Sequence, residues 1–130
     1  MPRERYDEDA RRHLPLAPHL FEILLSLAER PRHGYRLIHE IRERSEGRVD
    51  LATSTLYSAI RTLRRSGLIE DVGERPDEES GGPPRRYYRI TDLGLEVSRL
   101  EALRLQRVAQ RARERLLESD LRAQQAEGSR

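Results

Sequence analysis

Thr53, Ser54, Thr55, Tyr57, Ser58, Arg61, Arg64 and Arg65 bring hydroxyls, a phenol and guanidinium groups into one short segment, TSTLYSAIRTLRR. A guanidinium offers a planar fork of donors that matches the O6/N7 edge of guanine or a pair of phosphate oxygens, and hydroxyls hydrogen-bond to either. At about 100° per residue in an α-helix, Leu56, Ala59, Ile60 and Leu63 fall on one face and Ser54, Tyr57, Ser58, Arg61, Arg64 and Arg65 on the opposite one. A helix with that outer face suits the major groove of B-DNA, which admits an α-helix. Arg61 is the candidate for bidentate pairing with guanine. Ser54, Thr55 and Ser58 are candidates for phosphate or base contacts, and Arg64 and Arg65, a turn further on, for phosphate. Tyr57 lies on the same face and is a candidate for a DNA contact, with cross-domain packing as its alternative. A solvated helix face is the plainer alternative for the whole set.

Other chemistry finds little support. His13, His19, His33 and His39 lack a metal-ligand spacing on a single face, and no acidic pair stands beside a plausible nucleophile. GGPP at 81–84 lacks the Lys and Ser/Thr of a phosphate-binding loop. Neither an enzyme nor a bound cofactor or metal is expected.

The elements that would position the face follow from periodicity. Apolar residues from Leu20 to Ala28 cover most of a helical circumference between Pro18 and Pro31, which predicts a helix buried on more than one side. A second helix is expected from about Gly34 to Glu46, burying Leu37, Ile38 and Ile41 and stopped by Gly47. His33 and Tyr35 fall in the turn between these helices, where the Tyr35 ring either fills an edge of the core or offers its hydroxyl to a phosphate. The third helix should be capped by Thr53 or Ser54 and end at Ser66, before Gly67. LIEDV and RRYYRI read as two strands joined by GERPDEESGGPP, a hairpin with a long tip. Arg85 and Arg86 stand where the chain returns from that tip, suited to backbone or minor-groove contact. Asp77, Glu78 and Glu79 precede them and would be repelled by phosphates, so the loop is expected to swing clear of a duplex or to lack order.

Thr91 should cap a last helix from about Asp92 to about Gln125. Its apolar residues begin as Leu93, Val97, Leu100 and Leu103 and resume as Leu105, Val108 or Ala109, Ala112 and Leu116, so the stripe changes face. The first part can pack on its own domain. The second needs another cover, and the same helix of a second subunit is the natural one. Leu100, Leu105, Val108, Ala109, Ala112 and Leu116 are the candidate dimerisation residues. The expected organisation is a mobile arm or short peripheral helix over 1–14, a winged helix-turn-helix over 15–91, a dimerisation helix over 92–125 and a polar tail over 126–130. The fold class is thus mainly α with a β-hairpin wing.

HGYRLIHEI, STLYSAIRTLRRSGLIE and GGPPRRYYRITDLG, in this order and at these separations, resemble the motifs of PadR-type transcriptional regulators. The resemblance covers residues 20 to 100. It implies a winged-helix domain that binds double-stranded DNA, a helical dimerisation element and a repressor role. Ser54 and Ser58 depart from the family pattern, which commonly has glycine and proline there, and this bears on operator preference rather than on fold. Members of the family respond to phenolic acids or hydrophobic drugs, so a small-molecule effector is a possible partner; the absence of tryptophan removes one stacking platform for it.

Composition is consistent with these expectations. The 130 residues suffice for one domain and an added element, 37% are charged, and the net charge is only +2. Every basic residue is arginine, and positive charge is local: Arg48, Arg61, Arg64 and Arg65 stand against Asp50, and Arg85, Arg86 and Arg89 have no acid among them. The sequence has no cysteine and no apolar run of membrane-spanning length, so a cytoplasmic protein without a membrane partner is expected. The reading is a homodimeric, sequence-specific repressor on a pseudo-palindromic operator. A winged-helix module that holds another protein through the same face is the alternative.

Overall fold

The computed structural model describes residues 8–77 and 81–128. Helix α1, Pro18–Glu29, opens on a proline, whose missing N–H would have had no partner in a first turn anyway, and buries Ile23, Leu24, Ser26 and Leu27. Pro31 keeps the chain extended beyond it. Arg32–His33 then forms a short strand, β1, pairing antiparallel with a later one. Helix α2, Gly34–Arg44, is capped by His33, whose Nδ1 accepts the Arg36 backbone N–H at 3.1 Å. It ends two residues before the expected Glu46, because Glu46 and Gly47 take positive φ of 55° and 82° and the Gly47 N–H reaches back to the Arg42 carbonyl at 2.8 Å.

Helix α3, Thr53–Arg65, starts one or two residues earlier than a Thr53 or a Ser54 cap would place it: Ala52 is the cap, with no side-chain bond. The missing bond costs about 1 kcal/mol. Burial of any one of Leu56, Ile60 and Leu63, each almost without exposed surface, contributes about 2 kcal/mol and offsets it. The helix stops in a Schellman turn: Gly67, at φ 74°, donates to the Arg64 carbonyl and Leu68 to the Leu63 carbonyl.

Strand β2, Ile69–Arg75, runs into what the sequence suggested was loop, and pairs with β3, Arg85–Ile90, around a bulge at Asp71/Gly73. Gly73 supplies the positive φ of 91° that the bulge needs, and its N–H is held by the Asp71 carboxylate at 2.8 Å. With β1 the sheet has order β1-β3-β2. The β1 strand lies in the segment that the sequence presented as a plain helix-helix turn. Two residues are too few for a periodicity signal, and β3 alone makes them a strand.

Thr91 begins the last helix as expected, its Oγ1 accepting the Gly94 N–H at 3.0 Å while its hydroxyl donates to the Gly67 carbonyl at 2.6 Å. The end of α3 and the start of helix α4, Asp92–Ala112, are therefore one corner. The corner requires a glycine at 94, since a Cβ there would lie 2.1 Å from the Leu68 carbonyl oxygen. After Ala112 the helix makes a π turn, Arg113–Leu117, and continues as α5, Glu118–Gly128. The π turn takes an extra residue, so Leu116 is rotated relative to the face that an unbroken α-helix would give it.

Of the two readings of residues 1–14, the short helix fits the described part and the mobile arm does not: residues 8–11 are helical and Ala10 has no exposed surface, belonging to the core with Leu16; residues 1–7 lie outside the described residues. Leu100, assigned to dimerisation, is half-buried against its own core, whereas Leu103, expected inside, is exposed. Glu101 is the reason for the tight fit here. Its buried carboxylate accepts the Leu16 backbone N–H and pairs with Arg104, fastening the amino-terminal segment to α4.

Candidate nucleic-acid interface

Helix α3 buries Leu56, Ala59, Ile60 and Leu63 and exposes Thr53, Ser54, Thr55, Tyr57, Ser58, Arg61, Arg64 and Arg65. Ser54, Ser58, Arg61 and Arg65 lie along the crest, by the 100° step of the helix. Ser54, Thr55 and Ser58 also line a shallow groove with His19 and Leu20 of α1, so the hydroxyls lie toward α1. Tyr57 and Arg64 lie on the other flank, toward the wing. Among the described residues, no ion pair or hydrogen bond engages the side chains of Arg61, Arg64 and Arg65. Arg64 does stand near enough to Asp71 to contribute to the lowering of its pKa.

Tyr57 is half exposed and also packed. Its hydroxyl lies over Gly34 at the start of α2, so close that a Cβ there would meet it at 2.9 Å. The ring packs within its own domain, joining α3 to α2, and keeps an open face. Tyr35 does not fill an edge of the core. It is 54% exposed, with its ring edge-on to His39 at 4.4 Å and the Arg85 guanidinium 5.0 Å above its face. Helix α3, the first turn of α2 and the wing thus form one continuous surface, from Tyr57 to Gly34 and Tyr35 to Arg85.

The wing departs from its expected electrostatics. Arg86 pairs with Asp71 at 2.8 Å and stands 3.7 Å from Glu74, and Arg89 pairs with Glu70. The cause is register: Glu74 lies opposite Arg86 and Glu70 opposite Arg89, at the spacing where opposite charges on paired strands meet. Asp71 consequently titrates below its usual value, mainly through the Gly73 N–H and then through Arg86. The acidic loop was expected to swing clear of a duplex or to lack order, leaving only the arginines close. Asp77 instead turns inward and is buried, with its Oδ2 3.4 Å from Arg85 Nε and 3.5 Å from His33 Nε2. Glu78 and Glu79 lie outside the described residues. Burial lowers the His33 pKa, opposed by Asp77 and assisted by Arg85 and Arg36. With Nδ1 accepting from Arg36, the neutral ring carries its proton on Nε2, the atom that faces Asp77. Sequence reasoning missed both His33 and Asp77, and only the HGY motif signalled that His33 had a fixed place.

A helix with an outward cationic crest beside a three-stranded wing defines a winged helix-turn-helix module of the DNA-binding type. The model of the transcriptional regulator PadR-like family matches residues 23–99. An uncharacterized protein of Lysinibacillus sphaericus is 36% identical over 77 residues, which are 58% of this chain and 68% of that one. A transcriptional regulator from Clostridium thermocellum superposes with a TM-score of 0.61 at 26% identity, covering 75% of this chain and 89% of its own. A PadR family transcriptional regulator from Eggerthella lenta does so with a TM-score of 0.53 at 29% identity, covering 85% and 87%. The fold of a PadR family regulator from Clostridium difficile is also shared, at a TM-score of 0.65 and 21% identity over 75% of this chain and 97% of that one. This chain belongs to the PadR-like family of transcriptional regulators.

Proposed function

We propose that the protein is a homodimeric repressor that reads a pseudo-palindromic operator by setting one α3 helix in each of two major grooves. The observation that carries this reading is the outward face of α3, where Arg61, Arg64 and Arg65 are exposed and none is engaged by an acid among the described residues. Arg61 reads a guanine, and Arg64 and Arg65, with Ser54, Thr55 and Ser58, hold phosphates. Thr53, at the helix start, contributes a further hydroxyl. Two-fold symmetry places the half-sites about 34 to 36 Å apart or a multiple of that.

The dimer forms through the outer part of the long helix, where Leu105, Val108, Ala109, Ala112 and Leu116 are all exposed and leave an apolar stripe uncovered by this chain. An effector acts on such a dimer only by binding one spacing of the two α3 helices better than another.

Titrating salt in a gel shift on the protein's own upstream DNA tests the DNA reading. Affinity falls steeply with salt as arginines displace condensed counterions, and Arg61→Ala weakens binding roughly tenfold or more. Weak salt dependence, with wild type and variant alike, favours a protein partner on the same face instead. For the dimer, sedimentation of full-length Leu105→Glu/Leu116→Glu should give monomer, and a persisting dimer moves the interface elsewhere.

A further inference from the structure

The base of the wing holds a pocket of about 310 Å³ lined by Arg32, His33, Arg36, Arg75, Asp77 and Tyr87. It lies beside the amino end of α2, where the helix dipole favours an anion. One wall is itself an anion: the Asp77 carboxylate, buried against His33 Nε2 and Arg85 Nε. The fit is incomplete. Arg85 Nε faces Asp77 at 3.4 Å without forming a hydrogen bond, and Nη1 of Arg32, on a side chain only 6% exposed, has no hydrogen-bond partner although Nε and Nη2 bind Glu40 and Glu29. A carboxylate has two oxygens in one plane, whereas a phosphate presents oxygens in three dimensions and matches more of these donors. A buried donor left unmatched is costly, so these donors are better suited to a tetrahedral anion than to the carboxylate that faces them.

The location identifies the source. Tyr57 of α3 touches Gly34, Tyr35 follows it, and Arg85 lies over the Tyr35 ring. A duplex seated on α3 therefore runs past this pocket.

We propose that the wing base is a binding site for one DNA backbone phosphate, whose donors Asp77 engages in the free protein as an internal substitute. Seating the duplex exchanges a carboxylate for a phosphate, and the exchange reduces the affinity that Arg85 would otherwise give. The inference rests on the DNA reading above, and the two can fail separately.

The test is fluorescence anisotropy with a duplex from the protein's own upstream region, across a salt series, on the full chain. Asp77→Ala should bind about five- to tenfold more tightly, and its log-log salt slope should steepen by about 1.8, the signature of one additional phosphate contact from each protomer of the dimer. Asp77→Asn, which keeps the shape, should shift affinity the same way by less, and it serves if Asp77→Ala loses its cooperative melting. Arg85→Ala should change wild-type affinity by less than about twofold yet abolish the gain in the Asp77→Ala background, a coupling that a double-mutant cycle reads directly. Glu74→Gln removes an exposed wing charge and should leave affinity within about twofold. The proposal is overturned if wild type binds the duplex but both Asp77 variants bind equally or more weakly, or if Glu74→Gln gains as much as they do. It is also overturned if inorganic phosphate at constant ionic strength raises the melting temperature of Asp77→Ala while DNA affinity stays at the wild-type value, since the site then serves a free anion. No binding by wild type itself removes the DNA reading instead.

Discussion

Helix α3 and the wing each carry a group of arginines, and the two groups present opposite electrostatics. On α3, Arg61, Arg64 and Arg65 project from a helix whose own acids are absent, so their charge reaches solvent. On the wing, Arg85, Arg86 and Arg89 each have an acid from the facing strand or the adjoining loop. The exposed pairs of Arg86 and Arg89 contribute little to stability. They matter more for binding, because a phosphate gains from a paired arginine only the difference between itself and the carboxylate it replaces. Counting basic residues along the chain thus overstates what the wing offers and is a fair guide for α3.

The contrast can be broken by deletion. Replacing Arg61, Arg64 and Arg65 together with alanine should reduce DNA affinity by about a hundredfold or more and flatten the salt slope by about 3.6, for the phosphate contacts of Arg64 and Arg65 lost from both protomers of a dimer. Replacing Arg85, Arg86 and Arg89 together should cost less than about fivefold. Equal losses in the two variants, measured side by side by anisotropy, would end the distinction.

Gly94→Ala probes what holds the two regions in one frame. Its Cβ would meet the Leu68 carbonyl oxygen at 2.1 Å and Ile90 Cγ1 at 2.7 Å, where α3, β2 and α4 converge. Since backbone is the obstacle, the corner must open, and thermal unfolding should show a loss of about 3 kcal/mol, the upper part of the range for overpacking. An unchanged melting temperature would mean that α3 and the wing are not rigidly joined through this corner.

The smallest effect concerns acid. Because burial keeps the His33 pKa below 6.5, the unfolded chain takes up a proton first as pH falls. The stabilising contribution is complete above about pH 6.5 and is lost as pH drops from there toward the folded-state value. Protonation also removes the Nδ1 acceptor that caps α2. Comparing melts near pH 7.5 and near pH 5.5, His33→Asn, which retains a capping side chain, should lose less stability on acidification than wild type. If both lose the same amount, His33 has no part in the acid response and the wing's acids, Asp71 among them, account for it.

The amphipathic faces were legible because helical periodicity is a local property. The spacing of Leu56, Ala59, Ile60 and Leu63 fixes which side of α3 is buried, and therefore that Arg61 and Ser58 face out, whatever the surroundings. Gly67 and Thr91 likewise signalled their turn and cap from residue chemistry alone. Pairing across the chain could not be read this way. The strand at Arg32–His33 exists only because β3 lies beside it, and Glu101 is buried only because Leu16 and Arg104 converge on it. Asp77 shows the limit most clearly: in the sequence it is one acid in a polar loop, and its burial against His33 and Arg85 depends on residues that are 44 and 8 positions away. Hydrophobic pattern and turn chemistry act between near neighbours, so the sequence itself determined the helices, the hairpin and the outward face of α3. The partner of each charge is set by strand register and by the packing of distant segments, so only the tertiary structure decided which arginines remain open to a ligand.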